Sequence, residues 1–151
     1  MISKHRGKAA GIAMAVGLVG GFEGLRHNVY LDVVKVPTFC YGETKNPEWG
    51  RRYTTAECNA LLEGRLAEFA EGVDKCVKVE MPPHRWAASI SLAYNIGTGA
   101  FCRSTYVRRL NAGEGAAACD SMLLFNKAKG RIFPGLERRR QAEVALCRRE
   151  D

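Results

Sequence analysis

A chain of 151 residues, 46% hydrophobic and 26% charged, has the length and balance of one globular domain or of two small lobes sharing a core, which excludes a disordered or low-complexity chain. Lys and Arg outnumber Asp and Glu by 23 to 16, for a net charge of +7, with Arg concentrated at Arg108, Arg109, Arg131, Arg138, Arg139, Arg140, Arg148 and Arg149. That balance suits a polyanionic partner, whether nucleic acid, a membrane surface or an anionic cell-wall polymer, without choosing among them.

In chain order, the basic cluster Lys4, His5, Arg6 and Lys8 precedes an uncharged run, AAGIAMAVGLVGG, at residues 9–21. This is the pattern of a short export segment behind a basic start. The run is too short and too rich in Ala and Gly for a standard transmembrane helix, which needs about 20 strongly apolar residues. A buried first helix of the domain is the equal alternative. Residues 22–53 mix a helix end, β-type runs (VVKV, TFCYG) and a breaker-rich turn with Asn46, Pro47 and Gly50, which predicts a small sheet lobe. Over 54–79, a capping Thr54 or Thr55, Glu57 near the third position, and Leu61, Leu62, Leu66, Phe69 and Val73 at helical spacing predict a long connecting helix. From 80 to 151 the chain reads as helices separated by Gly or Pro turns, including one over GAAACDSMLLFNKA. The expected class is α+β, with an active cleft between the lobes.

The chemistry-bearing residues narrow the field. None of the six cysteines has CxxC or Cys/His spacing, so no metal site is expected; the even count fits disulfides made in an oxidising compartment, or buried free thiols. His5, His27 and His84 lack ligand or catalytic-base spacing and read as surface or capping residues. GTG at 97–99 has no following Lys-Ser/Thr and reads as a helix stop. No cofactor is implied. Aromatic residues do not interleave with the basic ones, so a nucleic-acid stacking surface is not expected. In GFEGLRHNVYLDVVKVPTFCYGET, a helix ending near Glu23 and a hairpin beyond it would turn Glu23, Asp32 and Thr38 toward one cleft. Paired carboxylates across a cleft are what glycosidic hydrolysis uses: one protonated acid for the leaving oxygen and one ionised group for water or for developing positive charge. Partial burial beside Gly20, Gly21 and Phe22 would favour the protonated form of Glu23.

The spacing E-x8-D-x5-T in EGLRHNVYLDVVKVPT resembles the catalytic triplet of the bacteriophage lysozyme family of glycoside hydrolases. GFEGLR and CYGET resemble phage endolysins with an N-terminal signal-anchor-release segment. SLAYNIGTGAFCRST at 91–105 and FPGLERRRQAEVALC at 133–147 resemble two further blocks of the family, so the similarity runs roughly over residues 20–147 in the expected order. The resemblance implies a lysozyme-like fold in which residues 1–21 are an anchor segment or first helix and 22–151 the catalytic domain.

The implied protein is a monomeric, phage-encoded muramidase acting on peptidoglycan in the host periplasm, with residues 9–21 held first in the inner membrane. It implies Glu23 as general acid, Asp32 directing water or stabilising positive charge, and Thr38 holding that water. Arg138 or Arg139 would pair with Glu23, which opposes the effect of burial and leaves its protonation undetermined by sequence, and Thr44, Tyr94 and Ser104 would line the saccharide groove. Two departures stand out: Glu43 replaces a histidine frequent in the family, so that residue's salt bridge must be replaced or absent, and the C-terminal block lacks the usual tryptophan and double glycine. Of fifteen disulfide connectivities, Cys40 with Cys58 would tie sheet to connecting helix and Cys119 with Cys147 the last helices, leaving Cys76 with Cys102.

Overall fold

The computed structural model describes residues 4–128 and 130–150; residues 1–3 and the side chains of the basic Lys4, His5 and Arg6 lie outside the described set. Helix α1 spans Lys4–Glu23. Its buried positions, Gly11, Ala15 and Val19, recur every fourth residue and form one face. That face needs its small residues. A Cβ on Gly11 would sit 2.4 Å from Trp86 Cβ, and one on Gly7 would sit 2.5 Å from the Met81 carbonyl, so α1 seats directly on the start of α3 (Pro83–Ile96). In this structure α1 packs on the core through that face, and among the described residues no helix is long and apolar enough to cross a membrane.

The chain leaves α1 through Gly24, whose φ of +77° and amide bond to the Gly20 carbonyl end the helix at Glu23. Strand β1 (Arg26–Leu31) then pairs antiparallel with β2 (Pro37–Cys40), aligning Tyr30 with Thr38 across a register irregularity. Phe39 and Tyr53 stack 4.3 Å apart in the small core of this lobe, with Val29 and the Cys40–Cys58 disulfide.

Helix α2 (Thr55–Cys76) opens with a full capping box. The Thr54 side chain accepts from the Glu57 amide, and the Glu57 carboxylate accepts from the Thr54 amide. It buries Leu62, Leu66, Ala70 and Val73, while Leu61 stays 39% exposed. Helix α3 buries residues on every side, including Trp86, Ile90 and Leu92, because α1, α2 and α7 (Pro134–Cys147) pack around it. Its Ser89 hydroxyl and the Tyr106 hydroxyl lie 2.7 Å apart.

Gly97, at φ +91°, stops α3 as expected, and the short helices α4 (Thr98–Cys102), α5 (Thr105–Asn111) and α6 (Gly115–Cys119) follow. The helix expected over 115–128 is not continuous. It tightens into a 3₁₀ turn at Asp120–Phe125 and gives way to a second hairpin, β3 (Lys127–Ala128) with β4 (Arg131–Ile132). Tertiary bonds compete with the helical ladder here: the Phe125 carbonyl accepts from Arg140, and the Asn126 carbonyl accepts from the Phe133 amide. Cys76–Cys102 links α2 to α4, and Cys119–Cys147 links α6 to α7.

Candidate active site

Glu23 is the last residue of α1, held beside the sheet lobe because Gly20 lets the helix approach the Tyr41 ring, where a Cβ would stand 3.2 Å from Cε1. Its side chain keeps 30% of its exposure. Arg139 Nη1 donates to Glu23 Oε1 at 3.0 Å, and the Arg139 guanidinium lies 4.9 Å from the centre of the Phe22 ring. Of the two arginines the sequence left open, Arg139 is thus the partner; Arg138 is exposed and lines a recess with Phe22, Phe133 and Gly135.

Arg139 is itself placed by residues that sequence reasoning missed. Glu143, one helical turn on, has Oε2 3.6 Å from Arg139 Nε, and its carboxylate holds Arg140 through contacts of 2.6 and 2.9 Å. Ser91 donates to the same carboxylate, and Arg140 reaches Asn95 Oδ1 at 2.8 Å. Burial pushes the Glu143 carboxyl up from its ordinary value, opposed by the two guanidinium groups. The available signal was the i, i+4 spacing of Arg139 and Glu143, which reads equally as a surface pair.

Asp32 sits where β1 ends, and Oδ1 accepts from the amides of Val34 at 2.9 Å and Val36 at 2.8 Å. One carboxylate oxygen therefore shapes the hairpin turn; Oδ2 takes no hydrogen bond among the described residues. Thr38 is buried, and its hydroxyl donates to the Val36 carbonyl at 2.8 Å, leaving the oxygen able to accept. The hairpin thus joins both side chains through Val36.

Tyr94 is half-buried against Phe69, and its hydroxyl is pushed up by burial and then by the nearby Glu23 carboxylate. Ser104 is committed elsewhere: it is buried and caps α5, accepting from the Val107 amide at 3.2 Å. Thr44 is exposed, with its amide on Glu43 Oε1. The departure at Glu43 is compensated, because Arg65 Nη2 and Nε donate to its two oxygens at 2.9 and 3.2 Å. That fork, first, and the amides of Lys45 and Thr44 lower the Glu43 carboxyl to about 2 against the opposing effect of burial. His27 and His84 donate from Nδ1 to the Tyr53 and Leu146 carbonyls; His84 is buried, so of its expected surface or capping role only the cap survives. Among the described residues no group of three or more His, Cys, Asp or Glu could hold a metal.

A recess of about 700 Å³ lies between the 43–53 loop and α2, lined by Phe39, Tyr53, Leu61, Gly64 and the Glu43–Arg65 pair. None of Glu23, Asp32 and Thr38 lines it.

Comparison with known proteins gives the family. The sequence model of the family described as Phage lysozyme matches residues 20–143. The SAR-endolysin of Bacteriophage PS119 is 41% identical over 128 residues, covering 84% of this chain and 77% of that protein. The SAR-endolysin of Escherichia phage Mu is 35% identical over 92% of this chain and 89% of its own. A crystal structure of a P22 lysozyme mutant superposes with a TM-score of 0.81 at 30% identity, over 89% of this chain and 94% of that one. A helix that ends on Glu23, a hairpin that follows at once and a C-terminal arginine that returns to that carboxylate accompany a match over most of the chain: the protein belongs to the phage lysozyme family.

Proposed function

We propose that this endolysin is a muramidase that hydrolyses the β-1,4 bond between N-acetylmuramic acid and N-acetylglucosamine in peptidoglycan, acting in the host periplasm. Glu23 protonates the glycosidic oxygen. Asp32 directs water or stabilises the oxocarbenium-like transition state through Oδ2, since Oδ1 is occupied by the turn, and Thr38 holds that water as an acceptor. The observation that supports the reading is the Arg139–Glu23 pair at 3.0 Å, which holds the carboxylate of the last residue of α1. Tyr94 borders the same carboxylate and is proposed to contact the glycan, with Thr44 at the sheet edge; Ser104 acts through the α5 cap instead.

The test is digestion of purified peptidoglycan by wild type and Glu23→Gln, with mass analysis of the sugar ends. Glu23→Gln is expected to lower activity by at least about 100-fold with the fold retained, as loss of a general acid does. Wild type should release reducing ends. Anhydromuramic ends would instead mean a lytic transglycosylase, and an active Glu23→Gln would remove Glu23 from the mechanism. The N-terminal segment is proposed, on the likeness to SAR-endolysins, to reside first in the inner membrane and to form the α1 seat on α3 only after leaving it.

A further inference from the structure

We propose that the tip of the β1–β2 hairpin is a docking element that seats the protein on an anionic lipid bilayer, a role separate from bond cleavage and from the N-terminal segment. Four of its six residues from Leu31 to Val36 are exposed aliphatics: Leu31 at 53%, Val33 at 101%, Val34 at 72% and Val36 at 39%. Scattered exposed apolar residues need no explanation, but four on one protruding turn form a patch. None belongs to either hydrophobic core or packs against one.

The backbone donors of Asp32, Val34, Lys35 and Val36 are already bonded within the turn. Asp32 Oδ1 takes the Val34 and Val36 amides, the Asp32 carbonyl takes the Lys35 amide at 2.9 Å, and the Asp32 amide donates to the Val36 carbonyl at 3.1 Å. Those donors carry no desolvation cost into an interfacial layer, because they are already bonded. The same bonds hold the valines outward without help from a neighbouring element.

Charge and chemistry select the occupant. Lys35 stands among the valines at φ +61° and has an aliphatic stem able to carry its ammonium to lipid phosphates. The only acid on the tip, Asp32, has one oxygen tied into the turn, and the whole chain carries +7. Saccharides are gripped by ring faces and hydrogen-bonding side chains, and protein partners by Trp, Tyr or Arg anchors. From Val33 to Val36 the tip has no ring and no Arg, and Lys35 is its one hydrogen-bonding side chain. Aliphatic side chains around one cation are the composition of an interfacial membrane contact. Because Asp32 and Thr38 flank this turn, a docked molecule has that side of the hairpin against lipid and away from glycan.

The experiment is co-sedimentation with vesicles of phosphatidylethanolamine and phosphatidylglycerol, using a Glu23→Gln chain so that binding is read without reference to catalysis. Wild-type hairpin protein should bind these vesicles and bind neutral phosphatidylcholine vesicles far less. Val33→Ser with Val34→Ser, both solvent-facing and checked for folding by circular dichroism, should weaken binding by about tenfold or more, and Lys35→Glu should do so separately. Undiminished binding by the double variant overturns the proposal. So does undiminished vesicle binding together with lost retention on insoluble peptidoglycan, which would assign the tip to the polymer. Loss of Glu23's proposed role would leave the vesicle result unchanged.

Discussion

Glu43, which departs from the histidine that the family resemblance implies, sets its carboxylate against the Arg65 guanidinium fork, with two amides completing the shell. The Glu43 carboxyl titrates at about 2 in the folded protein against an ordinary 4.5. A lowered folded value means that the stabilisation is fully present above the unfolded value and fades as pH falls from about 4.5 toward 2. Urea unfolding of wild type and Glu43→Gln should therefore show a stability gap near neutral pH that closes across this window. A gap independent of pH would mean that the pair contributes nothing through ionisation. At Arg139 the sequence narrowed the partner of Glu23 to two adjacent arginines. Helical geometry separates them, since successive residues point about 100° apart and only one of the two can face α1.

Within single elements the glycines discriminate most sharply. Gly64 and Gly72 lie in the same helix two turns apart and look equivalent in sequence. A Cβ at Gly64 meets nothing within 4 Å, whereas one at Gly72 would stand 2.5 Å from Thr98 Cγ2, a stiff β-branched side chain. Gly64→Ala should raise stability by about 0.5–1 kcal/mol through helix propensity and reduced unfolded-state entropy. Gly72→Ala should lower it by roughly 1–3 kcal/mol through overpacking against α4. Thermal melts of the two variants shifting in the same direction would contradict this account. The capping box at Thr54 and Glu57, the stop at Gly97 and the hairpin after Glu23 were legible because each is set by residues within a few positions. The second hairpin was not: the bonds from Arg140 to the Phe125 carbonyl and from Phe133 to Asn126 depend on where α7 docks.

In the whole molecule, α1 is both the first helix of the core and the segment whose composition resembles an anchor. Its docked face is lined by Gly7, Gly11, Ala15 and Val19, while Gly17 and Gly21 face open space. Gly11→Leu would therefore block docking on α3 directly and confuse any measurement of membrane retention. Gly17→Leu adds apolar surface with no clash, and is expected to shift the protein toward the membrane fraction while leaving the activity of the released form intact. Equal membrane and soluble fractions for wild type and Gly17→Leu would contradict a membrane-resident stage. The three disulfides act at this scale as well, tying sheet lobe to α2, α2 to α4 and α6 to α7, with closed segments of 18, 26 and 28 residues. Crosslinks over loops of that size typically contribute about 3 kcal/mol each, mainly by restricting the unfolded chain.

The α+β class, the helix end at Glu23, the long capped helix and the spacing of Glu23, Asp32 and Thr38 follow from local order, because caps, turns and periodicity act over a few residues and are written in consecutive positions. The choice of Arg139 over Arg138, the Glu143–Arg140 support beneath it and the pairing of Glu43 with Arg65 do not. Each joins or separates groups according to how α1, α2, α3 and α7 pack, with Glu23 and Arg139 lying 116 positions apart. Only close packing brings such groups within hydrogen-bond reach, and the energies that select among near-equivalent partners arise from burial, which exists only once the helices have met.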